Sequence, residues 1–183
     1  MESLNATKQI KTNTPSGSTL INNHNHLSGN ILKDSSSSNK FILYHQNIWG
    51  ISSKIDEFMI SLYHNKPQII RLPKHHLKTE EIKNINLDQY VLGAFSCRKK
   101  YKCGGVCIYI SLQFSAINLE NYHKEKDFEI CALKLNVQKY NFIIICIYKS
   151  PTGDFTHFRT QLGIIMNDLH NTSNEFILCG DLI

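Results

Sequence analysis

The pattern of apolar and polar positions changes sharply at Phe41. Residues 1–38 are rich in Asn, Ser, Thr and Gly, contain no aromatic residue and close on the four serines at 35–38. Such a stretch buries too little surface to offset the entropy of ordering, so the sequence predicts a disordered polar tail at 1–38 and a folded domain at 39–183. From Phe41, FILYHQN reads as a buried strand. Helical spacing follows from Ser52 or Ser53 through His64, with Ser53 as the N-cap and Asp56 and Glu57 well placed in the first turn. Pro67 introduces a second apolar strand, QIIRL, and the strand, helix, strand order with a short crossover predicts parallel neighbours in one sheet. Short β-rich runs at 90–95, 106–110, 128–135 and 142–148 are separated by Lys- and Asn-rich turns, and read as an antiparallel meander continuing that sheet. The SPTGD break at 150–154 precedes helical spacing at Phe155, Phe158, Leu162, Ile165 and Leu169, and a last strand, EFILCGD, starts at Glu175.

Composition narrows the class. The chain has 183 residues, 42% of them hydrophobic, which fits one globular domain. Its longest apolar run, 142–148, is far short of the roughly 18 residues that span a bilayer, so no membrane helix is expected. No apolar core follows the N-terminus, so no secretory signal is visible and the expected location is intracellular, nuclear or cytoplasmic. Cys107, Cys131, Cys146 and Cys179 sit inside strand-like runs and read as small buried hydrophobes in a reducing compartment. Lys and Arg exceed Asp and Glu by 20 to 15, a formal charge of +5 that allows a polyanionic partner without requiring one.

Candidate chemistry gathers at strand ends. Asn47 follows the first strand, Leu72-Pro73-Lys74-His75-His76 ends the second, Ile147-Tyr148-Lys149-Ser150-Pro151 another, and Cys179-Gly180-Asp181 the last. Four such ends facing one cleft form the usual functional edge of an α/β protein. The ordered segments YHQNIWGISSKIDEF, PKHHL, CRKKYKCGGVCIYI, DFEICALKL, IYKSPTGDF and ILCGD resemble the endonuclease/exonuclease/phosphatase family, the fold of deoxyribonuclease I and abasic-site endonucleases. In particular they are similar to the endonuclease domains of insect-type non-LTR retrotransposons, over Phe41 to the end. The resemblance implies an α/β fold, the N-terminal portion of a two-sheet sandwich of deoxyribonuclease I-like type. It also implies Mg²⁺-dependent cleavage of DNA phosphodiesters, with Asn47 and Asp181 near the metal and Tyr148 and Asp181 in the catalytic set.

This chain departs from the family pattern at three matched positions. Lys74 stands where the family has a metal-binding Glu, and a divalent ion about 4 Å from an ammonium is repelled by roughly 8 kcal/mol at an effective dielectric near 20. Ile183 replaces the Asn of Gly-Asp-x-Asn, and Lys149 replaces an Arg, keeping charge while losing bidentate phosphate geometry. The family's second half, with its other sheet and general base, has no counterpart here, and His75, His76 and His157 offer no evident substitute. The expectation is therefore a truncated, degenerate retrotransposon-derived copy that is catalytically inactive, with Mg²⁺ binding doubtful and no small-molecule cofactor. Two alternatives stand beside it: an active metal-dependent endonuclease completed by a longer chain or partner, and a protein-binding module using an exposed sheet edge.

Several features carry two readings. Arg98, Lys99, Lys100 and Lys102, with Tyr101 among them, are either a phosphate-tracking loop giving weak, non-specific DNA binding together with Lys149, or a solvated hairpin tip. Cys97, Cys103 and Cys107 with His75 and His76 have no common zinc spacing. Gly104-Gly105 reads as a tight turn, Glu129 as a surviving ligand or a cross-strand partner, and Trp49 as a cap on the cleft or a residue packed over the first helix.

Overall fold

The computed structural model describes residues 6–10, 41–100, 103–119, 123–124, 127–170 and 173–182. In chain order the elements are β1 (Ala6–Ile10), β2 (Phe41–His45), α1 (Ile55–Asn65), β3 (Ile69–Pro73), α2 (Thr79–Lys83), β4 (Tyr90–Ser96) and β5 (Val106–Ser111). These are followed by β6 (Ala116–Asn118), β7 (His123–Lys124), β8 (Phe128–Val137), β9 (Tyr140–Lys149), α3 (Phe155–Asp168) and β10 (Asn174–Asp181). They build two sheets, one in the order β1-β2-β3-β5-β4 and the other β10-β9-β8-β6, with β7 also paired to β8.

Alternation within the strands explains the layering. Leu43, Ile69, Ala94 and Ile108 from the first sheet meet Cys131, Leu133, Ile144 and Cys146 from the second, forming the core between sheets. The opposite face of the first sheet, with Tyr44, Ile70 and Leu72, packs against Phe58 and Leu62 of α1 and Ile82 of α2. The opposite face of the second, with Ile130, Ile145 and Ile147, packs against Phe158 and Ile165 of α3. Both faces of the central strands are thus covered, which is why IIRL, VCIYI and FIIICIY are continuous apolar runs with little polar alternation. Burying a side chain such as Phe58 or Leu62 contributes about 2 kcal/mol, and their i, i+4 spacing puts both on one helix face.

The α/β two-sheet class and the parallel β2–β3 pair agree with the sequence, and several details differ. The runs from 90 to 148 do not form one meander. β4 and β5 pair antiparallel in the first sheet, where β5 also pairs with β3, whereas β8 and β9 form an antiparallel hairpin in the second. Periodicity identifies strands and leaves open which sheet each joins, and parts of both sheets lie within this one chain. Ser53 is not the helix cap: 52–54 form a turn, and Lys54 occupies the cap position without a side-chain cap bond. The helix ends where Lys66 turns left-handed, its N–H bonding to Leu62 O at 2.8 Å, just before Pro67. Ala6–Ile10, within the stretch read as a disordered tail, pairs antiparallel with β2, an edge whose backbone groups are otherwise unpaired. The remainder of 1–38 lies outside the described residues.

Candidate functional site

Loops after β2 and β3 extend the sheet's hydrogen bonding beyond the strands themselves. Ile48 N bonds to Pro73 O, Gly50 N to Lys74 O, Lys74 N to Gly105 O and His76 N to Gly104 O, at 2.7 to 3.3 Å. To follow this path Trp49, Lys74 and His76 adopt φ of 45°, 59° and 60°. Three side-chain-bearing residues are thus held left-handed in two adjacent loops, a locally strained path. Gly105 has φ of 82°, and a Cβ there would lie 2.4 Å from the His75 ring, so the sequence's tight-turn reading of Gly104-Gly105 has a steric basis.

Asn47, Lys74, Tyr148 and Asp181 converge at this end, as the four strand ends suggested. Asp181 Oδ2 accepts from Asn47 Nδ2 at 2.7 Å and pairs with Lys74 Nζ at 2.6 Å. The Lys74 and Asp181 side chains are only 10% and 9% exposed, so this is a desolvated ion pair. Lys74 Nζ also stands 4.8 Å from the Trp49 ring centroid and 5.0 Å from that of Tyr148. Gly180 sets the carboxylate's place: a Cβ there would lie 2.4 Å from Ile147 O, so only glycine lets the end of β10 lie this close to β9.

Glu129, wholly buried, closes the other side. One carboxylate oxygen pairs with Arg98 Nε and the other accepts from Gly105 N at 2.9 Å, while the Arg98 guanidinium lies 5.3 Å from the Tyr148 ring. Burial raises the Tyr148 phenol above its ordinary pKa, with Arg98 opposing and Glu129 and Asp181 reinforcing the shift, so it remains a neutral hydrogen-bonding group near pH 7.

Other candidates fall elsewhere. Lys99 and Lys100 are exposed in the β4–β5 loop, but Arg98 is turned inward onto Glu129. Lys149 is buried and donates to Ser150 O at 2.9 Å, so its charge faces the protein. Tyr101, Lys102 and Ile183 lie outside the described residues. His75 is buried, accepts from Leu77 N through Nδ1 and reaches Ser96 O through Nε2 at 3.3 Å, and burial lowers its pKa to about 4. It is a neutral structural histidine. His157 pairs through Nδ1 with Asp127 at 3.0 Å, at the start of α3. All six cysteines are free.

Two residues that sequence reading passed over lie on the inter-sheet side. His45 and Arg71 are register partners on β2 and β3. Arg71 is 1% exposed with Nε and Nη1 lacking hydrogen-bond partners, and His45 Nδ1 is likewise unpaired. Burial first, and Arg71 second, push His45 down to about 4 against the pull of Asp181. A charged residue inside QIIRL, two positions from Ile69 on the core-facing side, was the available signal.

A hard divalent ion takes about six oxygens, several of them from water, and is held by at least one or two carboxylates free to ligate. Of the two carboxylates here, Asp181 is already paired with an ammonium and Glu129 with the Arg98 guanidinium and Gly105 N, while Asn47 Oδ1 is buried without a hydrogen-bond partner. Among the described residues no three of His, Cys, Asp or Glu gather as a metal-binding group. The residues present do not fit a divalent metal, and they do not form the zinc cluster that Cys97, Cys103 and Cys107 invited.

Solved structures share this architecture. The endonuclease domain of TRAS1, a telomere-specific non-LTR retrotransposon, superposes with a TM-score of 0.57 at 9% identity, over 74% of this chain and 58% of that one. D. rerio TDP2 complexed with single strand DNA product gives 0.57 at 11%, over 76% and 59%. The AP endonuclease LMAP from Leishmania major gives 0.56 at 15%, over 77% and 54%. This chain has the DNase I-like α/β fold. It spans less than two thirds of the length of each of these structures. No family model and no curated protein matches its sequence.

Proposed function

We propose that this chain is part of a DNase I-like endonuclease domain of the non-LTR retrotransposon type, which holds DNA by its backbone and does not cut it. The fold and the ordered strand-end motifs support the nuclease ancestry. One observation carries the loss of cleavage: the Lys74 ammonium sits on Asp181 at 2.6 Å, where the family resemblance implies a divalent cation. An ammonium supplies one positive charge and three donors but no coordination sphere in which to polarise a phosphoryl oxygen or activate water. His157 has a carboxylate partner, Asp127, and both are tied to the start of α3, where Asp127 also accepts from Asp154 N.

Binding has separate support. Lys99 and Lys100 are exposed beside the cleft, and the chain is basic overall. Such lysines give sequence-independent, salt-sensitive affinity by displacing condensed counterions. DNA, a non-secreted location and Mg²⁺-independence belong to this same reading. In a gel-shift assay the chain retards DNA at low salt equally with Mg²⁺ or with a chelator, and supercoiled plasmid stays intact in Mg²⁺ and in Mn²⁺. Chelator-sensitive nicking that disappears in Asp181→Ala would overturn the proposal.

A further inference from the structure

Trp49 is the chain's one tryptophan, and it stands 61% exposed where so large an aromatic is ordinarily covered. Its position is fixed from both sides. The residues flanking it bond to the neighbouring loop, Ile48 N to Pro73 O at 3.3 Å and Gly50 N to Lys74 O at 2.8 Å, and its own φ is left-handed. Lys74 Nζ lies over the ring at 4.8 Å and is itself anchored by Asp181. The His76 ring meets the indole at 5.5 Å and 66°, edge to face, and His76 is held by its own bond to Gly104 O at 2.8 Å. An aromatic plate is thus presented to solvent on a rigid support.

Its surroundings are cationic. Lys54 reaches across to Ile48 O at 3.0 Å, beside the plate. Burial, then Lys74, Arg98 and Lys54, each lower the His76 pKa, which keeps the ring neutral near pH 7. Against Lys54, Lys74 and Arg98 stand the two carboxylates of Asp181 and Glu129. With Lys74 and Arg98 each paired to one of these carboxylates, Lys54 supplies the net positive charge beside an uncharged plate, a combination that suits a phosphate backbone carrying a flat, apolar-faced ring.

We infer that Trp49, edged by His76 and backed by Lys74, is a stacking platform for an unpaired nucleobase of single-stranded DNA. A base inside a duplex has both faces covered by its neighbours, whereas an unpaired base has a face to offer, and base–aromatic stacking is tolerant of sequence. The inference rests on the nucleic-acid reading above and adds to it a preference for single strands.

The lone tryptophan makes the test direct. Its fluorescence in the full chain is titrated at low salt with a single-stranded oligodeoxynucleotide, an abasic oligomer of equal phosphate count, and the matching duplex. Quenching by the base-bearing strand that exceeds quenching by the abasic oligomer and the duplex is expected. In gel shifts, the preference for single strand over duplex should fall about tenfold in Trp49→Ala, the loss of roughly one stacked base, and be largely kept in Trp49→Phe. Equal quenching by base-bearing and abasic strands, or an unchanged preference in Trp49→Ala, overturns the platform while leaving salt-dependent DNA binding standing. Absence of binding by all three DNAs overturns both readings.

Discussion

The Lys74 ammonium and the Asp181 carboxylate have each lost most of their hydration and depend on one another for compensation. Lys74→Met keeps the stem's volume and leaves Asp181 without its ammonium, beside the neutral Asn47 amide. Removing one partner of a buried pair costs about 3 to 5 kcal/mol, and urea unfolding should show a loss of this size in Lys74→Met. Gly105→Ala is penalised twice, by a left-handed φ and by the His75 ring 2.4 Å from the new Cβ. We expect it to lose at least about 2 kcal/mol by the same measurement, with the β4–β5 loop exchanging its amide hydrogens faster. Sequence alone placed Asn47, Lys74, Tyr148 and Asp181 at one cleft because strand ends are marked locally by a change from apolar to polar residues. The inward turn of Arg98 and Lys149 was not legible, because it depends on Glu129 and on the Ser150 carbonyl, partners met only after packing.

Among the elements, the longer apolar strands and the long helices were legible, while the short β1, β6 and β7 and the pairing of the strands were not. The apolar runs of β3, β5 and β9 are buried on both faces and so lack the alternation that would have assigned them to a sheet. α3 was visible through its spacing after the SPTGD break, and its N-cap is Asp154, whose carboxylate accepts from His157 N at 2.9 Å. α1 starts later than Ser53 because Ile51, fully buried, bonds to the β3–α2 loop and holds the preceding residues in a turn. The β4–β5 loop bears the exposed lysines, and its contribution to binding is measurable as a salt slope. Replacing Lys99, Lys100 and Lys102 together by Ala should lower DNA affinity and flatten the slope of log affinity against log salt by about 1 to 3.

At the scale of the molecule, the first sheet and its loops bury a neutral histidine whose protonation opposes folding. His75 has an ordinary pKa of 6.5 when exposed and about 4 in the fold. Between these values the unfolded chain binds a proton that the folded chain refuses, so the contribution is fully present above pH 6.5 and is lost as pH falls toward 4. Urea unfolding should give about 2 to 3 kcal/mol less stability from this group at pH 4.5 than at pH 7.5. Above pH 7 the same group should leave stability flat.

The replacement of a divalent cation by a lysine is tested most directly by calorimetric titration of Mn²⁺ into the native chain and into Lys74→Glu, at pH 7.5 without nucleic acid. The native chain should give no saturable heat, because Asp181 is held by an ammonium and Glu129 by a guanidinium. Lys74→Glu should gain a saturable site that disappears when Asp181→Ala is added. Saturable Mn²⁺ binding by the native chain, abolished in Asp181→Ala, would contradict the account.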